Sequence, residues 1–152
     1  MTVIAPLSRY KRGNFKIVIA ILLGAAAWMA YDGYLNKDWI AKHTREDGRP
    51  DSDLTINRVA PLFLAPAGVA LTVWFALVRG KRVVADDEGL VVGGRRIPYE
   101  SIEAIDKTYF ESKGYFVVTY RREGGGTAKI RLNDRKYDNL SAVLDELVQR
   151  IT

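Results

Sequence analysis

The stretch VAPLFLAPAGVALTVWFALV, Val59 to Val78, decides how the rest of the chain reads. Its twenty residues carry no charge. As a helix rising 1.5 Å per residue they cover about 30 Å, the thickness of bilayer hydrocarbon. Pro61 lies where a first helical turn tolerates it, and Pro66, further in, predicts a kink. Upstream, IVIAILLGAAAWMAY, Ile17 to Tyr31, is a second uncharged run. It rises about 22 Å, and Phe15 with the aliphatic stem of Lys16 brings it to the lower end of spanning length. Trp28, Tyr31, Tyr34 and Trp39 gather at its end like an interfacial aromatic belt. A cleaved signal peptide would share the basic flank but end in small residues, not Trp28, Met29 and Tyr31. Buried helices of a soluble bundle would not need twenty apolar residues in a row.

Charge follows the apolar runs. The chain has 152 residues, 23 basic and 18 acidic, and a formal net charge of +5. Residues 1–16 hold Arg9, Lys11, Arg12 and Lys16 and no acid, and Arg79, Lys81 and Arg82 follow the second run. Residues 32–58 hold five bases and six acids, and 83–152 hold eleven and twelve. The excess positive charge therefore flanks the membrane segments instead of coating a domain, which excludes a nucleic-acid partner. The positive-inside rule then puts both termini in the cytoplasm. The expected organisation is a cytoplasmic basic arm at 1–16, membrane helices at 17–31 and 59–78, an extracytoplasmic loop at 32–58, and a cytoplasmic domain at 79–152. Gly24 and Ala27 in the first helix, and Ala65 and Gly68 in the second, are small enough for close helix packing. That packing serves either a simple two-helix anchor or contact with other membrane subunits.

The loop offers little chemistry. Asp38 to Arg45 reads as a surface helix with Trp39 and Ile40 toward lipid, and Asp53 as the cap of the helix entering the second span. His43 is the one histidine, with Asp38, Glu46 and Asp47 nearby, and it reads as polar surface ahead of a metal ligand.

After Val83 the pattern becomes one of short strands. Lys81 to Ala85 is the first, and Asp86, Asp87 and Glu88 form a turn. Leu90 to Val92 and Arg95 to Pro98 flank a tight Gly93-Gly94 turn. Ile102 to Lys107 shows no clean face. Tyr115 to Arg121 is the strongest strand, joined through Gly124, Gly125 and Gly126 to an alternating strand at Thr127 to Leu132. Leu140, Val143, Leu144, Leu147, Val148 and Ile151 recur at helical period, so a terminal amphipathic helix starting near Asn139 covers an antiparallel sheet. The fold class is α+β.

This order of elements, with the passage GLVVGGRRIPYESIEAI at 89–105, resembles the bacterial pleckstrin-homology-like domains, in which a membrane hairpin often precedes the domain. The resemblance covers roughly residues 80–152. It implies a bent antiparallel sheet capped by the C-terminal helix, and scaffolding or binding without catalysis; in a bacterial host the membrane spanned is the inner membrane. Ile97, Ile102 and Ile105 would be buried, with Tyr99 covering the turn.

The residues themselves point away from an enzyme. There is no cysteine, and Ser101 and Ser112 have no histidine in the domain to activate them. Asp86, Asp87 and Glu88 are adjacent and point apart, unlike converging oxygens around a hard cation. Neither glycine run has the spacing or lysine of a phosphate loop. No cofactor and no metal are expected. Lys81, Arg82, Arg95, Arg96, Arg121 and Arg122 are the candidate contacts for anionic lipid. Two functions remain open at this point. The favoured one is a non-catalytic membrane scaffold or accessory subunit of a membrane complex. The other is a membrane-tethered module that binds or senses anionic lipid, which convergence of the arginines would favour.

Overall fold

A computed structural model describes all 152 residues. The chain divides into two compact units, Gly13–Leu77 and a second made of Met1–Arg12 with Val78–Thr152.

In the second unit, β2 (Arg82–Ala85), β3 (Gly89–Val92) and β4 (Arg95–Pro98) form an antiparallel run joined by tight turns. Gly93 and Gly94, with φ of +58° and +81°, make the two-residue turn that joins β3 to β4. A fourth strand, β1 (Val3–Pro6), pairs with β2 along its length, from Val3↔Ala85 to Pro6↔Arg82. The reading of residues 1–16 as a basic arm therefore needs correction. Val3 to Pro6 is too short a run to show a period of its own, and it becomes a strand because β2 offers a free edge and a buried site for Ala5. Beyond β1, Ser8 N–H donates to the Lys136 carbonyl at 2.8 Å and Asp138 N–H to the Pro6 carbonyl at 2.9 Å. The Asn139 side-chain amide donates to the Ile4 carbonyl at 3.2 Å.

A second sheet has the order β5 (Ile102–Asp106), β6 (Tyr115–Arg121) and β7 (Thr127–Asn133). The register slips between Ile102 and Ala104, a bulge that explains why the alternation there has no clean face. One helical turn, α5 (Phe110–Lys113), precedes β6, and the last helix of the chain, α6 (Leu140–Ile151), begins after Asn139 and buries Leu140, Val143, Leu144 and Leu147. One core joins them to Ala5, Val83, Leu90, Ile97, Phe116, Val118 and Leu132. Ile97 and Ile102 are buried, as the resemblance implies, whereas Ile105 is only half-buried, beside the β5 bulge. Tyr99 donates its hydroxyl to the Asp86 carbonyl at 2.6 Å, and burial raises its pKa above the ordinary tyrosine value.

The helical unit holds α1 (Arg9–Ala30), which runs on as a π-helical turn to Leu35, short helices α2 (Lys37–Lys42) and α3 (Ser52–Val59), and α4 (Pro61–Val78). Ala60 keeps helical φ and ψ, so Ser52–Val78 is one helix of 27 residues, as is Arg9–Leu35. Both outrun the apolar stretches read from sequence, because helical backbone continues into their polar ends. At 27 residues each is about 40 Å long, long enough to cross hydrocarbon and reach the headgroups. The pair is antiparallel. Phe15 meets Trp74 and Phe75 with ring centroids 5.0 and 5.6 Å away, while at the other end Arg58 Nε donates to the Gly33 carbonyl at 2.9 Å. A Cβ on Gly68 would stand 2.6 Å from Leu23 Cδ2, and one on Gly33 2.8 Å from the Asn57 carbonyl oxygen, so glycine sets the approach at both places.

The connecting loop is tighter than its composition suggests. Asn36 caps α2 through Trp39 N–H at 3.3 Å, and Asp51, not Asp53, caps α3 through Leu54 N–H at 2.9 Å. Asp53 sits one turn position too late to face the free N–H groups. Leu54 is buried, and Trp39, read as lipid-facing, is half-buried and stacks on His43 at 3.8 Å between centroids.

Candidate functional site: an arginine-lined cleft

A concavity of about 960 Å³ lies in the strand domain. One wall is β4 with the 3-10 turn Tyr99–Ser101, and the other is the end of β6 with the start of its hairpin. Arg95, Arg96, Arg121 and Arg122 all line it. The topology causes this convergence. Arg95 and Arg96 open β4, the edge of the first sheet, while Arg121 closes β6 in the second and Arg122 follows it into the hairpin turn. Sequence separates these pairs by 25 residues or so; the two sheets bring them to one cleft.

The four cations are not equivalent. Arg96 Nη1 lies 2.7 Å from Asp86 and 3.2 Å from Glu88, and Arg121 Nε lies 3.3 Å from Glu103. The Arg96 guanidinium holds Asp86 below the ordinary carboxylate range, helped by the Glu88 N–H, and Asp86 in return raises Arg96. Asp86 also accepts from Glu88 and Gly89 N–H at 2.9 and 3.1 Å, so the acidic turn serves to fold itself and to hold Arg96. Arg95 and Arg122 make no ion pair and are exposed to the cleft, as are the carboxylates Glu100 and Glu123. Ile97 and Tyr120 are buried beneath. Such a site offers guanidinium donors that can hold a charged, oxygen-rich group by hydrogen bonds.

The remaining residues singled out from sequence fall elsewhere. Lys81 and Arg82 are exposed and do not line the cleft; Arg82 sits in β2 opposite Pro6. In the helical unit Gly68 is buried against Leu22 and Leu23, and Ala65 is half-buried. Gly24 and Ala27 are exposed, with nothing within 4 Å of a Cβ on Gly24, so they do not join α1 to α4. Ala26, one step round the helix, is the buried residue there.

His43 Nδ1 is 2.7 Å from Asp51 and 3.8 Å from Asp53, not beside Asp38, Glu46 or Asp47. These are the residues whose ligand atoms could reach a common metal ion, all within 4.8 Å. Both Asp51 oxygens are already engaged, one by Leu54 N–H and one by His43, and the Leu54 bond is the main reason its pKa lies below the ordinary value. The trio locks the start of α3. Reasoning from sequence missed Glu100 and Glu123 as cleft residues, although Glu123 directly follows Arg122.

Comparison with family models, curated proteins and solved structures gives no match for this chain.

Proposed function

We propose that the chain is a two-pass membrane protein whose strand domain is a non-catalytic, pleckstrin-homology-like module that binds phosphate-bearing lipid headgroups. The observation that carries this reading is the convergence of four arginines from two sheets on one cleft. The fold supports the family resemblance: strands in a sheet of four and a sheet of three, with a C-terminal helix over their shared core. β1 makes up the seventh strand from upstream of the first apolar helix, so the helical pair is an insertion between β1 and β2. One domain built from both sides of an insertion requires an even number of crossings, which agrees with two spans and both termini in the cytoplasm. Basic residues near an inner leaflet are attracted to anionic lipid by about 1 kcal/mol each, a role that suits Lys81 and Arg82.

The accessory-subunit reading has one observation in its favour. Gly24 and Ala27 face away from α4, on a surface that another membrane helix would fit. Purification of the full chain in mild detergent followed by native mass spectrometry separates the two. The headgroup reading expects phospholipid adducts on the wild type that are lost from R95A/R122A. Equal adducts on both proteins would contradict it, and stoichiometric protein partners would move the assignment to the subunit reading.

A further inference from the structure

The unpaired charges of the cleft come in both signs. Arg95 and Arg122 lack carboxylate partners, and Glu100 and Glu123 lack cationic ones, although all four line the same concavity. A purely anionic ligand would answer the two arginines and lie against two uncompensated carboxylates, an arrangement in which like charges repel. We propose that the ligand is zwitterionic: a phosphate ester that also carries a primary ammonium group. The inference rests on the headgroup reading of the cleft and narrows it.

The chemistry divides between the residues. A phosphate takes paired N–H donors from a planar guanidinium, the geometry that Arg95 and Arg122 provide. An ammonium has three donors and no acceptor, and needs carboxylates such as Glu100 and Glu123. A quaternary ammonium has no N–H to give and is favoured instead by exposed aromatic faces. The one aromatic ring lining the cleft, Tyr120, is only 7% exposed, so no aromatic cage is present for it. Arg96 and Arg121, held by Asp86, Glu88 and Glu103, serve as fixed walls. At about 960 Å³ the space exceeds what a lone phosphate needs and is of the size of small-molecule sites. The same group can arrive on a lipid or as a free aminoalkyl phosphate.

The test uses the full chain in detergent micelles with phosphoethanolamine, phosphocholine and glycerol phosphate as soluble probes, and in nanodiscs of phosphatidylcholine doped with phosphatidylethanolamine or phosphatidylglycerol. Phosphoethanolamine should bind roughly ten-fold tighter than either other probe, about 1.4 kcal/mol. E100Q/E123Q should abolish that preference without weakening glycerol phosphate. Preference for phosphatidylethanolamine nanodiscs with weak binding of every soluble probe would support the proposal and assign the ligand to the lipid. Glycerol phosphate or phosphatidylglycerol binding as well as their amine counterparts would overturn the zwitterion and leave the headgroup reading intact. No binding in any arm, with R95A/R122A indistinguishable from wild type, would overturn both.

Discussion

The helical unit and the strand domain treat apolar surface in opposite ways. In the most apolar windows of the two long helices only 6% and 17% of residues are buried, and Leu62, Phe63 and Leu77 are each at least 65% exposed. In the strand domain Val83, Leu90, Phe116, Val118, Val143 and Leu147 are essentially inaccessible. The domain shields its apolar residues from water, while the helices turn theirs outward, which is costly in water and favourable in lipid. The difference is the one expected if the helical unit sits in lipid, as proposed, and the strand domain in water.

That contrast can be broken most sharply at β1. Ala5→Asp would place an unpaired carboxylate at a fully buried position of the strand core. The expected cost is about 3–5 kcal/mol, enough to unfold a small domain, and limited proteolysis of residues 79–152 should show it while the helical pair stays in the membrane. If β1 were a free arm, the substitution would be silent. Leu147→Ala, on the buried face of α6, should destabilise the domain by about 2–5 kcal/mol, seen as a lower thermal midpoint. In the other unit, Gly68→Leu should force α1 and α4 apart, at about 1–3 kcal/mol for overpacking, and reduce cross-linking between cysteines at Phe15 and Phe75. The same change at Gly24 should leave that cross-link unchanged, because nothing opposes a side chain there.

The smallest effect concerns pH. Asp86 titrates below its ordinary value of 3.8 because Arg96 and local N–H groups favour its charged form. Its contribution is therefore complete above that value and is lost as pH falls through the depressed one. Asp86→Asn should lower the melting temperature slightly at pH 6, and the gap to wild type should close in strongly acid solution. A gap independent of pH would assign the effect to packing.

Much of the architecture was legible from local pattern. Tyr115–Arg121 is dense in aromatic and β-branched residues and is a strand with those ends, and the period from Leu140 to Ile151 gives the helix and its buried face. What local pattern could not show is pairing between distant segments. Four residues at Val3–Pro6 carry no period, and their partner β2 lies beyond both long helices. The cleft was half legible. Four arginines could be named, but their convergence depends on the meeting of two sheets, and the acids that pair with Arg96 and Arg121 become evident only there. Likewise, Asp51 outcompetes Asp53 as the cap because the helix starts at Ser52, a boundary that composition leaves open.

The central claim is that a two-span membrane insertion divides one domain whose first strand and last helix lie on the same side. The chain has no native cysteine, so single cysteines at the exposed positions Thr2, Asp47 and Asp145 can each be labelled in sealed membrane vesicles with a membrane-impermeant maleimide. The account predicts that Thr2→Cys and Asp145→Cys react from the same side and Asp47→Cys only from the other. Labelling of Thr2→Cys and Asp145→Cys from opposite sides, or of all three from one side, would contradict it.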